Sequence, residues 1–276
     1  MRLDGNKVAN ELKDTIKKRI KDYARQPHLV VILVGDDPAS VTYVNSKKRQ
    51  CENVGMKSTV KVFDSSISQE FLLEEIDKLN RDEMVDGILV QLPLPNHINS
   101  NVVVSKIDVN KDVDGLHPLN VGLLVNDKPN MIPCTPKGII SILDYYDIEL
   151  EGKNALVIGR SQLVGKPIAS LLLSRNATVT IAHSKTQNLS HLVENNDIIV
   201  VAVGIKEFLK EHQLNSKHIV IDVGIHREGK KLLGDVERSA YDKVKAATPV
   251  PGGVGPMTIA SLLENTLIAY ERKEGF

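Results

Sequence analysis

The chain has 276 residues, enough for two domains of about 100 to 150 residues that each bury a core of their own. Thirty-five basic residues balance 35 acidic ones with no long single-sign run, which argues against a nucleic-acid or anionic-membrane surface and for a small-molecule partner. Two distant cysteines, Cys51 and Cys134, and the charged start MRLDGNKVANELKD fit a reducing, cytoplasmic setting rather than a disulfide scaffold or a signal peptide, and no apolar run reaches membrane-spanning length.

In chain order, the pattern predicts an amphipathic helix near residues 6–25, a buried strand HLVVILVG, and a helix SVTYVNSKKRQCENVG over residues 40–55 that stops at Gly55. A strand STVKVFD, a helix SQEFLLEEIDKLNRD opened by a near-capping pattern, and a strand VDGILVQLPL follow. Turn chemistry around residues 109–137 marks the expected boundary, with domains at 1–118 and 119–276 and a last helix that is a candidate to pack back on the first. Beyond it, a helix GIISILDYYD precedes strands NALVIG, ATVTIAH, DIIVVAVG and HIVIDVGIH, separated by helical segments. Strands alternating with helices predict an α/β fold with parallel-rich sheets.

Several short stretches carry chemistry. On the helix over residues 40–55, Tyr43 and Lys47 stand four apart, roughly 6 Å between Cβ atoms, so a phenol and an amine share one face. Gln91 ends a strand in GILVQLPLP, where the carboxyl edge of an open sheet faces a ligand; a strand-end amide satisfied by backbone is the alternative. Asp112 and Asp114 in DVDGLHP share a side if extended, as a metal or ligand pair, or else begin a tight turn. TPVPGGVGPMT joins rigid prolines to permissive glycines before the last helix, either to approach a flat ligand or simply to start the helix.

The turn GRSQLVGKP lies between a strand and a helix, where backbone amides receive phosphate. Five residues separate Gly159 from Gly165, and Pro167 follows Lys166, so it is no Walker A loop. Ser161 replaces the middle glycine of the Rossmann fingerprint, which leaves a turn serving only helix packing open. After the next strand, IAHSKT offers Ser184 and Lys185 where an NAD site places a carboxylate, and Arg160 supplies a guanidinium fork. NADP is therefore favoured over NAD, with a solvated loop as the alternative. Eight histidines lack metal-ligand spacing, so no metal is expected, and Gly159-x-Ser161 fails the hydrolase nucleophile elbow.

Taken together and in order, YVNSKKRQCENVG, DGILVQLPLP, DVDGLHPLNVG, PCTPKGI, VIGRSQLVGKP, HSKT and TPVPGGVGPMT resemble the bifunctional methylenetetrahydrofolate dehydrogenase/methenyltetrahydrofolate cyclohydrolase family across nearly the whole chain. The resemblance implies two α/β domains, the second Rossmann-like, with an active-site cleft between them, NADP as cofactor, tetrahydrofolate derivatives as partners and a homodimer. It assigns Lys47 as the catalytic amine, Gln91 as its tuner, Tyr43 as a wall for the aminobenzoyl group, and Asp114 as the pterin ligand. It gives Gly159, Arg160 and Ser161 to the cofactor turn, Ser184 to the 2′-phosphate region, and Ile225 to the nicotinamide side. Pro251, Gly252 and Gly253 are then folate contacts. The pair Tyr-x-x-x-Lys also occurs in short-chain dehydrogenases, but there it follows the dinucleotide turn, and here it precedes it. A folate- or nucleotide-binding regulator without turnover is the remaining reading, and leaves Lys47 and Gln91 without a joint reason.

Overall fold

The computed structural model describes residues 1–229 and 231–276. They form two compact units, Met1–Asn10 with Thr135–Ser261 and Glu11–Cys134 with Leu262–Phe276. The elements run α1 (Gly5–Ile20), β1 (His28–Val34), α2 (Pro38–Val54), β2 (Lys57–Phe63), α3 (Gln69–Arg81), β3 (Gly87–Val90), α4 (Ser100–Lys106), α5 (Pro118–Val125) and α6 (Cys134–Tyr145). Then come β4 (Asn154–Ile158), α7 (Gly165–Ser174), β5 (Thr178–Ala182), α8 (Leu189–Glu194), β6 (Ile198–Val201), β7 (Ile219–Asp222), β8 (His226–Glu228), β9 (Lys231–Leu233), β10 (Ala246–Ala247) and α9 (Val254–Glu274).

In the unit built on Glu11–Cys134, three parallel strands lie in the order β2-β1-β3. Every residue of central β1 is buried, which is why HLVVILV reads as an unbroken apolar run. Its side chains alternate between two cores: Val31 and Leu33 pack with Val44, Cys51 and Leu89, while Val30, Ile32 and Val34 pack with Leu72, Ile76 and Ile88. Helix α2 starts where the Asp37 carboxylate accepts the Ser40 N–H at 2.8 Å, with Pro38 in the first turn, and it ends at Gly55 with φ +91°. The expected capping signal before α3 is a Ser68 Oγ accepting the Phe71 N–H at 3.1 Å.

The second unit holds five parallel strands in the order β10-β7-β6-β4-β5, with Leu156, Ile158, Ile199, Val201 and Val220 in its core. Strands β8 and β9 form a separate antiparallel pair. The chain start belongs here because the Leu3 N–H donates to Ala247 O at 2.8 Å beside a parallel bridge between Arg2 and Ala247. The division thus differs from a boundary after residue 118: residues up to Cys134 stay with the first sheet, and the first ten join the second. Helix α5 occupies part of the stretch read as turns, and neither α4 nor the β8–β9 pair was expected.

In each sheet the chain first lays down an inner strand and then adds neighbours on opposite sides, so a topological switch point falls between β1 and β3 and between β4 and β6. Ligands of open α/β sheets bind outside the carboxyl ends of strands at such points.

Candidate active site

Helix α2 leaves the carboxyl end of β1 with Ser40, Val44, Lys47, Cys51 and Val54 on its buried stripe. Lys47 sits where that stripe calls for an apolar residue and is only 6% exposed. Its Nζ donates to Gln91 Oε1 at 3.0 Å. Gln91 follows β3 directly; its N–H donates to Ile32 O at 2.8 Å and its Nε2 donates to Leu92 O at 2.7 Å. Those two bonds leave the amide oxygen for the lysine. The ammonium also lies 4.7 Å from the centroid of the half-buried Tyr43 ring, inside cation–π range.

Burial dominates the electrostatics of this cluster. It lowers the Lys47 pKa from its ordinary 10.5, against an opposing pull from the Asp114 charge and then the two cysteines. It pushes the Tyr43 phenol up to about 12, with Asp114 adding to the effect. An amine whose hydrogen-bond partner is a neutral amide rather than a carboxylate is held in place without being locked in its charged form. Such a group can take up and return a proton.

The two candidate carboxylates separate. Asp112 is 1% exposed and accepts the His117 N–H at 2.8 Å and Asn120 Nδ2 at 2.7 Å, so it anchors the turn leading into α5. Asp114 is half-buried and acts electrostatically on both Tyr43 and Lys47. The two therefore do not act as a ligand pair: Asp112 closes the turn, and Asp114 faces the Tyr43–Lys47 cluster electrostatically. Asn265 was not foreseen: its buried Nδ2 donates to Val113 O and Ile132 O, both at 2.9 Å, and so holds the backbone beside Asp114. One asparagine inside a long helix carries no local signal for carbonyls more than 130 residues away in sequence.

The residues expected to hold the cofactor gather in the second unit. Gly159 follows β4 at φ +127°, and a Cβ there would lie 2.2 Å from Ala202 O. A Cβ on Gly165 would lie 2.4 Å from Gly159 O, so the turn passes close enough to its neighbours to exclude any side chain at either glycine. Ser161 Oγ accepts the N–H groups of Val164 and Gly165 at 3.2 and 3.3 Å and shapes the entry to α7, while Arg160 is exposed. Because β4 pairs with β5 up to Ile158 and Ala182, the exposed Ser184 and Lys185 follow the strand end next to this turn. Their loop is closed by Thr186 N–H to His183 O and His183 N–H to Thr186 Oγ1, both 2.8 Å. Glycine-limited backbone at a helix N-terminus, an exposed guanidinium and a neighbouring strand end without a carboxylate fit a dinucleotide with a 2′-phosphate. Ile225, 55% exposed, follows β7.

Pro251, Gly252 and Gly253 lie in the same unit as these residues. Gly252 has φ +100°, its carbonyl accepts the Asn6 N–H at 3.1 Å, and a Cβ on Gly253 would come 2.6 Å from Pro249 O. Among the described residues, no group of three or more His, Cys, Asp or Glu side chains is placed to hold a metal ion, and no helix is long and apolar enough to cross a membrane.

Residues 3–114 match the profile of the tetrahydrofolate dehydrogenase/cyclohydrolase catalytic domain, and residues 133–274 match the NAD(P)-binding domain of the same family. The chain belongs to the tetrahydrofolate dehydrogenase/cyclohydrolase family. It is 50% identical over 270 residues to the bifunctional protein FolD of Campylobacter hominis, covering 96% of this chain and 95% of that one. The crystal structure of the bifunctional FolD methylenetetrahydrofolate dehydrogenase/cyclohydrolase of Campylobacter jejuni matches at 46% identity and a TM-score of 0.96, covering 99% of both chains. The Trypanosoma brucei FolD, solved with NADP cofactor and an inhibitor, matches at 34% identity and 0.94, over 99% and 97%. In this family's terms, the Lys47 cluster belongs to the stretch matched by the catalytic domain and the Gly159 turn to the stretch matched by the NAD(P)-binding domain.

Proposed function

We infer that the chain is a bifunctional enzyme of one-carbon metabolism: it oxidises 5,10-methylenetetrahydrofolate to 5,10-methenyltetrahydrofolate with NADP and hydrolyses that product to 10-formyltetrahydrofolate. Family membership supports the two activities. The observation that carries the residue-level reading is Lys47, an amine in the buried stripe of α2 bonded to an oriented amide.

In this reading Tyr43 offers a flat wall to the aminobenzoyl group and Asp114 accepts hydrogen bonds from the amino-pyrimidine edge of the pterin. Pro251, Gly252 and Gly253 add backbone contacts to folate. Bound NADP supplies the hydride acceptor. The folate nitrogens stabilise the cation left behind, so the protein's part in the oxidation is alignment. Hydrolysis asks more of the chain. As water attacks the methenyl carbon, neutral Lys47 accepts one of its protons; as the tetrahedral carbon collapses, the C–N bond breaks toward the ring nitrogen, the Lys47 ammonium returns that proton there, and the remaining hydroxyl proton leaves to solvent as the formyl C=O forms. Gln91 keeps the amine pointed at the reaction throughout. Arg160 pairs with the 2′-phosphate, with Ser184 beside it, and Gly159 and Ser161 shape the phosphate turn.

The reading includes a cytoplasmic homodimer without nucleic-acid or membrane partners, supported by the even charge balance and the family resemblance. A coupled absorbance assay with methylenetetrahydrofolate tests it: NADP reduction followed by loss of the methenyl band is expected. Reduction of neither nicotinamide cofactor, or a methenyl product that hydrolyses no faster than in buffer, overturns it.

A further inference from the structure

Beyond β6 and β7 the second unit holds two buried carboxylates that the chemistry above does not use. Asp235 is fully buried. One of its oxygens accepts the N–H groups of Val203 and Gly204, just past β6, at 2.7 and 2.9 Å. The other accepts from His226 Nε2, just past β7, at 2.8 Å. Asp235's own N–H donates to Asp222 Oδ1 at 2.8 Å, and Asp222 also accepts from Gly224 N–H at 3.1 Å, Val236 N–H at 2.9 Å and the Tyr241 hydroxyl at 2.8 Å. The packing leaves no slack. A Cβ on Gly224 would lie 2.2 Å from Asp235 Oδ1, and one on Gly234 would lie 1.8 Å from Asp222 Oδ2.

Burying a carboxylate is unfavourable unless its lone pairs are filled, and those of Asp235 are filled by donors from the segments that follow β6 and β7. Those loops sit at the carboxyl ends of parallel strands, where a dinucleotide lies, and each raises an isoleucine into solvent: Ile205 at 54% and Ile225 at 55% exposure. Asp235 bonds to both loops, to one through two amides and to the other through an imidazole.

We propose that Asp235 is a positioning residue for the dehydrogenase step: it fixes loops 203–205 and 224–226 as the platform for the nicotinamide half of NADP. The proposal rests on the NADP reading of the second unit. It predicts a split between the two ends of the cofactor, because the phosphate turn at Gly159 makes no hydrogen bond to Asp235.

Asp235→Ala tests it by calorimetry on the full chain, with NADP and with adenosine 2′,5′-bisphosphate, which carries the 2′-phosphate but no nicotinamide. NADP should bind about tenfold more weakly, equivalent to about 1.4 kcal/mol, and the bisphosphate should bind as to the wild type. In the free protein, hydrogen exchange at the Val203 and Gly204 amides should accelerate. Dehydrogenase kcat should fall roughly 10- to 100-fold, while hydrolysis of methenyltetrahydrofolate without dinucleotide stays within about twofold. Asp235→Asn keeps an acceptor for the two amides and should recover most of the NADP affinity. If the alanine variant does not fold, His226→Ala, which removes one bond at the edge, should show the same split at smaller size. Equal weakening of both ligands, unchanged NADP affinity, or parallel loss of both activities overturns the proposal. A wild type that binds neither ligand would instead defeat the NADP reading itself.

Discussion

Replacing Lys47 by methionine keeps the length of the stem and removes the terminal nitrogen, so it isolates the proton from the packing. In the wild type the amine is 6% exposed and donates to Gln91 Oε1 at 3.0 Å. Methionine loses the penalty of a buried ammonium but leaves that amide oxygen without its donor, a cost of about 1 to 3 kcal/mol. The two changes oppose each other, and the variant should melt within a few degrees of the wild type. Catalysis should not be so balanced. General acid–base transfer contributes about 10²- to 10⁴-fold, so cyclohydrolase kcat should fall by that factor, a barrier increase of roughly 3 to 5 kcal/mol. Hydride transfer needs alignment but no proton from Lys47, so the dehydrogenase rate should drop about tenfold or less, and methenyltetrahydrofolate should accumulate in the absorbance trace. The pH profile gives a second reading. Burial lowers the Lys47 pKa below 10.5, so the neutral amine, and with it wild-type hydrolysis, grows as pH rises through that lowered value. The unfolded lysine keeps its proton to about 10.4, so between the two values the unfolded chain binds more protons and folding stability rises with pH. The methionine variant should lose both limbs. Cyclohydrolase activity near the wild-type rate in the folded variant would refute the assignment.

Arg160→Ala should weaken NADP by about 10- to 100-fold and leave NAD nearly unchanged, since only NADP offers the extra phosphate; equal losses in calorimetry would remove Arg160 from that role. Asp114→Ala should raise the folate dissociation constant about tenfold with NADP binding intact. It should also move the rising limb of hydrolysis to lower pH, because the Asp114 charge is what most opposes the fall in the Lys47 pKa. Asp86→Ala should act on stability alone: the side chain is fully buried, takes two 2.7 Å bonds from Arg25 and accepts the His28 N–H at 2.8 Å. Stripping a buried partner from an ion pair costs about 3 to 5 kcal/mol, so thermal melting should drop sharply while kcat per folded molecule holds.

The parts of this molecule that depend on neighbours in sequence were legible before the fold. The run HLVVILV announced a strand covered on both faces, and Tyr43 with Lys47 announced a shared helical face; both are properties of local periodicity. What could not be read depends on contacts across long separations. Nothing in DVDGLHP says that Asp112 rather than Asp114 meets Asn120, because that choice is made when the chain turns into α5. Helix α5 itself was hidden by a Pro start, a His cap and Gly122 in its middle, features that read as turn chemistry. That Lys47 takes the third place on the buried stripe of α2, where periodicity asks for an apolar side chain, shows only once the helix is packed. The Asp235 brace left no motif, because two of its three bonds go to backbone amides whose residue types are immaterial, and the third goes to His226, nine residues away.

These cases share a direction along the strands. At the amino end of β3, Asp86 is saturated by Arg25 and the His28 amide, and at the amino end of β7 the buried His218 ring accepts the Asn215 N–H at 3.0 Å. Groups there close contacts within the fold. At the carboxyl ends the polar groups are arranged differently: Lys47 is held by one neutral amide, Arg160 is exposed, and the buried Asp235 spends its bonds on the segments after β6 and β7, where Gly204 and Ile225 are exposed. Parallel strands impose this asymmetry, since every crossover helix begins at the carboxyl edge and leaves its N-terminal amides and the preceding loop there. In a chain with two such sheets, candidate reactive and ligand-facing residues are therefore sought just after strands. The stretches after β1, β3, β4, β5 and β7 hold Tyr43 and Lys47, Gln91, the Gly159 turn, Ser184 and Ile225 in that order.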